Sequence, residues 1–125
     1  DRCLIEEQMR ASLVALEARG YARQFTFQRG YDSIINHRSG VMRVAEAANA
    51  VVGADNVDAD TLAAAWGEDF AYYLKHVPGA FFLLGSGNHE RGITEPLHSP
   101  RFDIDERCLA IGVAIMTELV MRTRA

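Results

Sequence analysis

Five consecutive apolar residues, from Ala80 to Leu84, are the feature that most limits how this chain can fold. Turn-forming residues bound the run, with Pro78-Gly79 before it and Gly85 after it. A short apolar run between turns is typical of a β-strand that is buried on both faces. Such a strand needs neighbouring strands, so the fold depends on where those neighbours come from.

The chain offers few other strands. In residues 21–29, Phe25 and Phe27 alternate with polar residues, which predicts a strand with one buried face. Residues 34–36 and the surroundings of Val57 fit only short extended pieces. Two or three strands do not cover so apolar a run, and we therefore expect further strands from another chain or from upstream sequence.

Helical periodicity accounts for most of the remaining sequence. It predicts helices over residues 2–19, 39–53 and 68–75, and a final helix capped by Asp103 or Asp105. Ser39 is the predicted N-cap of the second helix, and Gly20 ends the first. The predicted buried positions of the final helix are Leu109, Val113, Met116 and Leu119. The order helix, strand, helix, helix, strand, helix indicates an α/β fold.

Composition and charge exclude several classes of protein. Apolar residues make up 49% of the 125 residues and charged residues 24%, which is the balance of a soluble globular chain. The net charge of -4 argues against a nucleic-acid or anionic-membrane partner, and no apolar stretch is long enough to span a bilayer. Cys3 and Cys108 match no metal or redox spacing; buried free thiols in the cytoplasm are favoured over a disulfide, which stays possible.

Spacing alone singles out few candidates for chemistry. The four histidines show no metal-site spacing, and the sequence contains neither a CxxC pair nor a GxSxG motif. His98 stands out because Pro96 and Pro100 fix the backbone around it, although on spacing alone a hydrogen-bonded loop histidine is the more frequent interpretation. Glu68 and Asp69 are adjacent acids at a helix start, where capping is the simpler interpretation.

Four stretches, in order along the chain, resemble one enzyme family. They are Arg29-Gly30-Tyr31 through Ile35-Asn36-His37, Gly67-Glu68-Asp69-Phe70 through Leu74, Val77-Pro78-Gly79 through Gly85, and Leu97-His98-Ser99-Pro100 through Glu106. These stretches resemble the di-metal amidohydrolases and metallopeptidases related to aminoacylase, hippurate hydrolase and plant auxin-conjugate hydrolases. The resemblance covers essentially the whole chain, and several separated motifs in the right order are more specific than any one.

The resemblance implies roles for individual residues. His98 matches the last metal-binding histidine of the family. Gly67, Glu68 and Asp69 match a string that lines the active-site cleft, where Gly67 and Glu68 are expected to contact substrate. Asn36 matches a substrate-contacting asparagine of the lid domain. The remaining metal ligands and the catalytic glutamate are expected upstream, so no catalytic residue is assigned in this chain.

The resemblance also implies a reaction. Two divalent metal ions per full-length chain, zinc or manganese, would polarise an amide carbonyl, while a glutamate acts as general base on the attacking water. The substrate would be a small N-acyl amino acid or a dipeptide-like amide. The chain, as the C-terminal portion of such an enzyme, is expected to be inactive by itself.

The resemblance divides the chain into parts of two domains. Residues 1–36 would end an α/β lid domain that forms a homodimer contact, and residues 37–125 would complete the α/β catalytic domain. One departure concerns Ala64-Ala65-Trp66, where relatives usually carry Thr-Met and a small residue, so that Trp66 would reshape the substrate pocket. The alternative interpretation is a non-catalytic interaction or dimerisation module that keeps the family scaffold.

Overall fold

Helices dominate the part of the chain that the structure describes. The structure is a computed structural model and describes residues 2–22, 24–60 and 67–123. Its helices are α1 (Arg2–Glu17), α2 (Arg38–Val52), α3 (Phe70–Tyr73) and α4 (Arg107–Thr123), with one 3-10 turn at Ala54–Asn56. Contacts divide the chain into two compact units, Asp1–Gly30 and Tyr31–Ala125. The domain boundary after residue 36 stays a prediction.

Helix α1 confirms the first predicted helix, and a glycine explains where it ends. Gly20 has a φ of 86°. Its N–H donates to the carbonyl of Glu17 at 2.9 Å, and the N–H of Tyr21 donates to the carbonyl of Leu16 at 3.3 Å. This pair of bonds is a Schellman motif, which requires a left-handed residue after the helix and therefore favours the predicted Gly20.

The segment after α1 shows the burial pattern of a strand without forming one. Phe25 and Phe27 are half-buried between exposed polar neighbours, and their ring centroids lie 6.3 Å apart. The guanidinium of Arg10 lies 4.8 Å from the centre of the Phe25 ring, within cation–π range. The predicted strand over residues 21–29 is nevertheless wrong for the residues described there, because no described segment pairs with it in a ladder.

Helix α2 begins earlier than predicted, because hydrogen bonds join its N-cap residue, His37, to Gly79. The N-cap is His37, and Ser39 lies inside the helix. The N–H of His37 donates to the carbonyl of Gly79 at 3.0 Å, and the N–H of Gly79 donates to Nδ1 of His37 at 3.3 Å. A Cβ on Gly40 would lie 2.5 Å from the carbonyl carbon of Gly79, so this close approach requires glycine.

The main core of the second unit lies between α2 and α4. Ala47 and Ala48 on α2 and Ile115 on α4 are buried. The small side chains on α2 allow the two helices to pack closely. The partly buried residues around this core are Val51, Val57, Phe82, Leu84, Ile111 and Leu119.

Helix α4 buries a different face from the predicted one. The predicted residues Leu109, Val113 and Met116 are 58%, 67% and 50% exposed, and only Leu119 packs against the core. The residues that contact the core with it are Ile111 and Ile115. Apolar residues occupy more than one side of α4, and α2 covers one side of it.

The apolar run at residues 80–84 is partly buried but is not a strand. Phe82 and Leu84 contact the core, whereas Leu83 is 45% exposed. The N–H of Phe81 donates to Oδ1 of Asn36, and its carbonyl accepts from Nδ2 of Asn36, both at 2.8 Å. At this residue a side-chain amide takes the place of a neighbouring strand.

The described residues contain two isolated β-bridges and no strand. The bridges pair Ser33 with Gly67 and Asn88 with Ile93. The strand predicted over residues 80–84 is therefore wrong within these ranges, since the neighbours that it requires are not found among the described segments. Near Val57 the backbone is extended, as predicted, but without a strand partner.

Two further predictions are corrected in part. Helix α3 is a single turn, and the acids Glu68 and Asp69 precede it rather than occupying its first turn. Neither cysteine forms a disulfide among the described residues: Cys108 is buried, as predicted, whereas Cys3 is exposed and accepts a hydrogen bond from Arg29 at 3.6 Å.

Within the same ranges, every helix is too short or too polar to cross a membrane.

Candidate functional site

Two consecutive turns form the segment around His98. The N–H of Ser99 donates to the carbonyl of Pro96 at 3.1 Å, and the N–H of Phe102 donates to the carbonyl of Ser99 at 3.0 Å. The first turn places Leu97 and His98 at its two central positions. The tight element that the flanking prolines predict is thus confirmed.

The backbone of His98 adopts a conformation that is unfavourable for its residue type. Its φ is 72°, the only positive φ of a non-glycine residue in the described part of the chain. Position i+2 of a type II turn requires such a value, which glycine adopts most easily. For other residues the left-handed region costs roughly 1–2 kcal/mol. A conformation of this kind persists where the surrounding contacts impose it, and it is often found at functional sites.

A set of polar contacts spans this turn; we name Glu95, Ser99 and Arg101 the His98 clamp. The hydroxyl of Ser99 donates to Oε2 of Glu95 at 2.9 Å, and the guanidinium of Arg101 donates to Oε1 of Glu95 at 2.6 Å. The N–H of Arg101 donates to Oγ of Ser99 at 3.2 Å. One carboxylate therefore connects the residue before the turn to two residues after His98.

The imidazole of His98 is exposed and is not part of the clamp. Across residues 2–22, 24–60 and 67–123, no hydrogen bond or ion pair engages it. Imidazole is a common ligand of zinc, so His98 fits the role of one metal ligand. The described residues contain no group of three or more potential ligands, so a complete site requires ligands from outside them.

Asn36 and His37 fasten the start of α2 to residues 79–81. Both the nitrogen and the oxygen of the Asn36 side-chain amide form hydrogen bonds with the backbone of Phe81, although Asn36 is exposed. Its nitrogen and oxygen each retain capacity for one further hydrogen bond. The structure assigns Asn36 a backbone-pairing role that the sequence did not suggest, and its predicted contact with substrate stays a prediction.

Gly67 and Glu68 lie beside the same segment. Gly67 forms a bridge with Ser33, and a Cβ at Gly67 would lie 3.4 Å from Cβ of Tyr31. Glu68 is half-buried, and its carboxylate accepts the N–H of Asp69 at 3.0 Å. Their predicted roles in substrate binding stay predictions.

The structure brings some of the predicted residues together. Gly67 forms a bridge with Ser33, three residues before Asn36, whereas the amide of Asn36 pairs with the backbone of Phe81. His98 lies in a separate loop, and no hydrogen bond in the described ranges joins it to Asn36, Gly67 or Glu68. The residue Trp66, predicted to reshape the pocket, lies outside the described residues.

A second polar cluster surrounds the start of α4; we name Asp105, Asn88, Arg91 and Arg107 the α4 cap cluster. Asp105 is 5% exposed. Its carboxylate accepts the N–H of Arg107 at 3.2 Å and the side-chain amide of Asn88 at 2.5 Å. The guanidinium of Arg107 donates to the same carboxylate through Nε and a terminal nitrogen, and Arg91 adds an ion pair at 3.3 Å. The predicted capping by Asp105 is confirmed.

The charged side chains of this cluster form ion pairs with one another. Hydrogen bonds from Arg107, and next from Asn88, hold the pKa of the Asp105 carboxyl well below its usual range, against a smaller opposing effect of desolvation. The same pairing raises the pKa of Arg107. Every buried side-chain nitrogen and oxygen among the described residues has a hydrogen-bond partner, and the carboxylate of Asp105 is included.

The chain belongs to the Peptidase family M20/M25/M40, whose sequence profile matches residues 5–122. Members of this family are hydrolases built on an α/β metallohydrolase fold, and the predicted resemblance is confirmed at the level of the family. The described residues supply helices of that fold and not its strands. No solved structure matches the chain.

Several relatives are named for hydrolysis, and one, of Rhodococcus jostii, is named as a candidate glutamate–cysteine ligase, with 35% identity over 96 residues, 77% of this chain and 12% of that protein. A candidate amidohydrolase of Bacillus subtilis, YhaA, is 28% identical over 116 residues, 92% of this chain and 29% of that protein. The IAA-amino acid hydrolase ILR1-like 6 of Arabidopsis thaliana is 42% identical over 55 residues, 44% of this chain and 12% of that protein. The N-acetyl-L-cysteine deacetylase of Bacillus subtilis is 48% identical over 44 residues, 34% of this chain and 9% of that protein. The chain thus matches less than a third of the length of each.

Proposed function

We propose that the protein is a metal-dependent amidohydrolase that cleaves N-acyl amino acids or small peptide-like amides, with His98 as one metal ligand. Family membership over residues 5–122 supports a hydrolase. Two relatives are named for amino-acid conjugates, an IAA-amino acid hydrolase and an N-acetyl-L-cysteine deacetylase. Both names describe a small acyl group joined to an amino acid, which supports the same substrate class here.

The observation that carries the proposal is the state of His98. Its imidazole is exposed and has no partner among the described residues, while its backbone is held at a φ of 72°. A surface loop gains nothing from keeping a histidine in this conformation, since glycine or asparagine would adopt it at lower cost. A metal ligand, by contrast, must be aimed in one direction.

The other predicted residues take supporting roles in this proposal. Two divalent ions per full-length chain, zinc or manganese, would supply Lewis-acid chemistry for hydrolysis of the amide, and His98 would hold one of them. Gly67 offers backbone groups and Glu68 a carboxylate to the substrate, while the remaining capacity of the Asn36 amide orients it. The general base and the further metal ligands come from outside the described residues.

The placement of the chain in the protein belongs to the same proposal. Residues 1–36 complete an α/β lid domain that forms a homodimer contact, and residues 37–125 complete the α/β catalytic domain. We place the protein in the cytoplasm. The non-catalytic interaction module is not favoured, because the chain matches a peptidase family over residues 5–122 and two of its relatives are named as hydrolases of amino-acid conjugates.

The test is His98→Ala in the protein produced from its complete reading frame. We expect bound metal to fall and turnover of an N-acetyl amino acid to drop on the order of 100-fold or more, because loss of a direct ligand exceeds the 10–100-fold effect of an outer-shell change. His89→Ala is the matched control, since His89 is also an exposed loop histidine. Unchanged metal content and rate in His98→Ala would refute the ligand assignment.

A further inference from the structure

We propose that Glu95 is a positioning residue for the metal ligand His98. Glu95 touches neither the imidazole nor any reacting group; it acts through the turn that carries the histidine. This inference rests on the proposed function, because it assigns Glu95 a task only if His98 binds a metal. Glu95 lies outside the sequence stretches that resemble the family.

The first step of the argument is the geometry of the span. Glu95 immediately precedes the turn that begins at Pro96, and Ser99 is the last residue of that turn. The carboxylate of Glu95 accepts a hydrogen bond from the Ser99 hydroxyl at 2.9 Å, so side chains link the start of the turn to its end. The backbone bond from Ser99 to Pro96, at 3.1 Å, links them a second time.

The second step concerns the other carboxylate oxygen. It accepts from Arg101 at 2.6 Å, and the backbone N–H of Arg101 donates in turn to the Ser99 hydroxyl at 3.2 Å. The three members of the clamp thus form a closed ring of hydrogen bonds, and one of them, Ser99, is the residue that follows His98. The Glu95 side chain is 30% exposed, which leaves it less exposed to competing water than the Arg101 side chain at 79%.

The third step connects the ring to the ligand. A positive φ is maintained at His98 only if its surroundings exclude the relaxed alternatives. The clamp supplies that restriction next to the ligand and leaves the imidazole free of its own contacts. Groups that fix the orientation of a metal ligand typically change metal affinity by about 10–100-fold when they are removed.

The experiment uses Glu95→Ala in the protein produced from its complete reading frame, stripped of metal and titrated with zinc. We expect the zinc affinity to fall by about 10–100-fold, with activity largely restored at excess zinc and KM for the N-acetyl amino acid unchanged. Glu95→Gln, which retains an acceptor for one of the two bonds, should give an intermediate loss. The Co²⁺-substituted protein adds a readout that is independent of activity, since its visible absorption should change in Glu95→Ala.

Glu90→Ala is the matched control, because Glu90 is an exposed acid in the preceding loop without a role in the clamp. It should bind zinc as the unaltered protein does. If Glu95→Ala does not fold, Ser99→Ala removes the same span by deleting one hydroxyl, and the same loss of affinity is expected. Unaltered zinc affinity in a folded Glu95→Ala or Ser99→Ala protein would overturn the inference.

The two proposals fail in different ways. If His98→Ala loses metal but the folded Glu95→Ala protein retains normal affinity, the positioning role alone is wrong. If His98→Ala retains its metal, the ligand assignment is wrong, and the positioning role is overturned with it.

Discussion

The His98 clamp and the α4 cap cluster are built from similar side chains but lead to opposite arrangements. Each has one carboxylate that accepts from arginine and from a neutral partner. Asp105 is 5% exposed, and within the described residues the hydrogen bonds to its carboxylate come from the other members of the cluster. Glu95 is partly exposed, and its bonds join chain positions on either side of His98, whose own side chain has no partner among the described residues.

This difference separates a stabilising network from one that presents a functional group. The network around the buried Asp105 carboxylate stabilises the fold, because that carboxylate already accepts hydrogen bonds from Asn88 and Arg107. A network that imposes an unfavourable backbone conformation on its neighbour, at His98, gains nothing in stability from doing so. Asp105 is therefore expected to matter for folding, and Glu95 for the orientation of His98.

The largest expected effect that tests this comparison is on thermal stability. In the protein produced from its complete reading frame, Asp105→Ala should lower Tm by roughly 2–5 °C, because it removes a helix cap and leaves the Asn88 amide and the Arg107 N–H unpaired. Zinc content should not change. Asp103→Ala is the control, since within the described ranges that carboxylate accepts only the N–H of Ile104.

The outcome of that experiment can break the comparison in two ways. If Asp105→Ala loses zinc while remaining folded, the α4 cap cluster also serves the metal site, and the separation of roles is wrong. If its Tm equals that of Asp103→Ala, the cluster does not stabilise the fold. Both quantities can be measured on one sample, by calorimetry and by metal analysis.

A second effect is the dependence of stability on pH. The folded-state pKa of Asp105 lies below its unfolded value near 3.8, so its ionised form stabilises the fold. That contribution is complete above the unfolded pKa and is lost as the pH falls from about 3.8 toward the folded value. Unaltered protein and Asp105→Asn should therefore differ most in urea unfolding near neutral pH and converge in acid. A difference that stays constant down to about pH 2 would show that the charge of Asp105 does not stabilise the fold.

Local signals in the sequence predicted the parts of the fold that depend on neighbouring residues. Gly20 ends α1 because a left-handed residue is needed there, and Asp105 caps α4 from two residues before it. Pro96 and Pro100 marked the tight element around His98. Each of these features requires residues within a few positions, so its pattern can be recognised without the rest of the molecule.

The features that the sequence did not reveal depend on distant partners. Asn36 and Phe81 are 45 residues apart, and neither residue type indicates that a side-chain amide would pair with that backbone. The prediction of the buried face of α4 was wrong because apolar residues lie on more than one side of this helix, and packing against α2 determines which side is buried.

The clamp, by contrast, is local. An acid before a proline, with a serine four residues after the acid, is a sequence signal that could have found Glu95.

The smallest expected effect comes from replacing each cluster's arginine with lysine. Arg107 donates to Asp105 through Nε and a terminal nitrogen, whereas Arg101 donates to Glu95 through one terminal nitrogen only. The ammonium group of lysine can replace one hydrogen bond of arginine but not two with a fixed geometry. Arg107→Lys should therefore lower Tm by about 1–2 °C and Arg101→Lys by less than about 1 °C. Both side chains are largely exposed, which limits the loss of stability in either variant.

Thermal unfolding of the two variants, measured side by side, shows which substitution lowers Tm more. A larger loss in Arg101→Lys would mean that the clamp, and not the cap, contributes more to stability, which reverses the comparison.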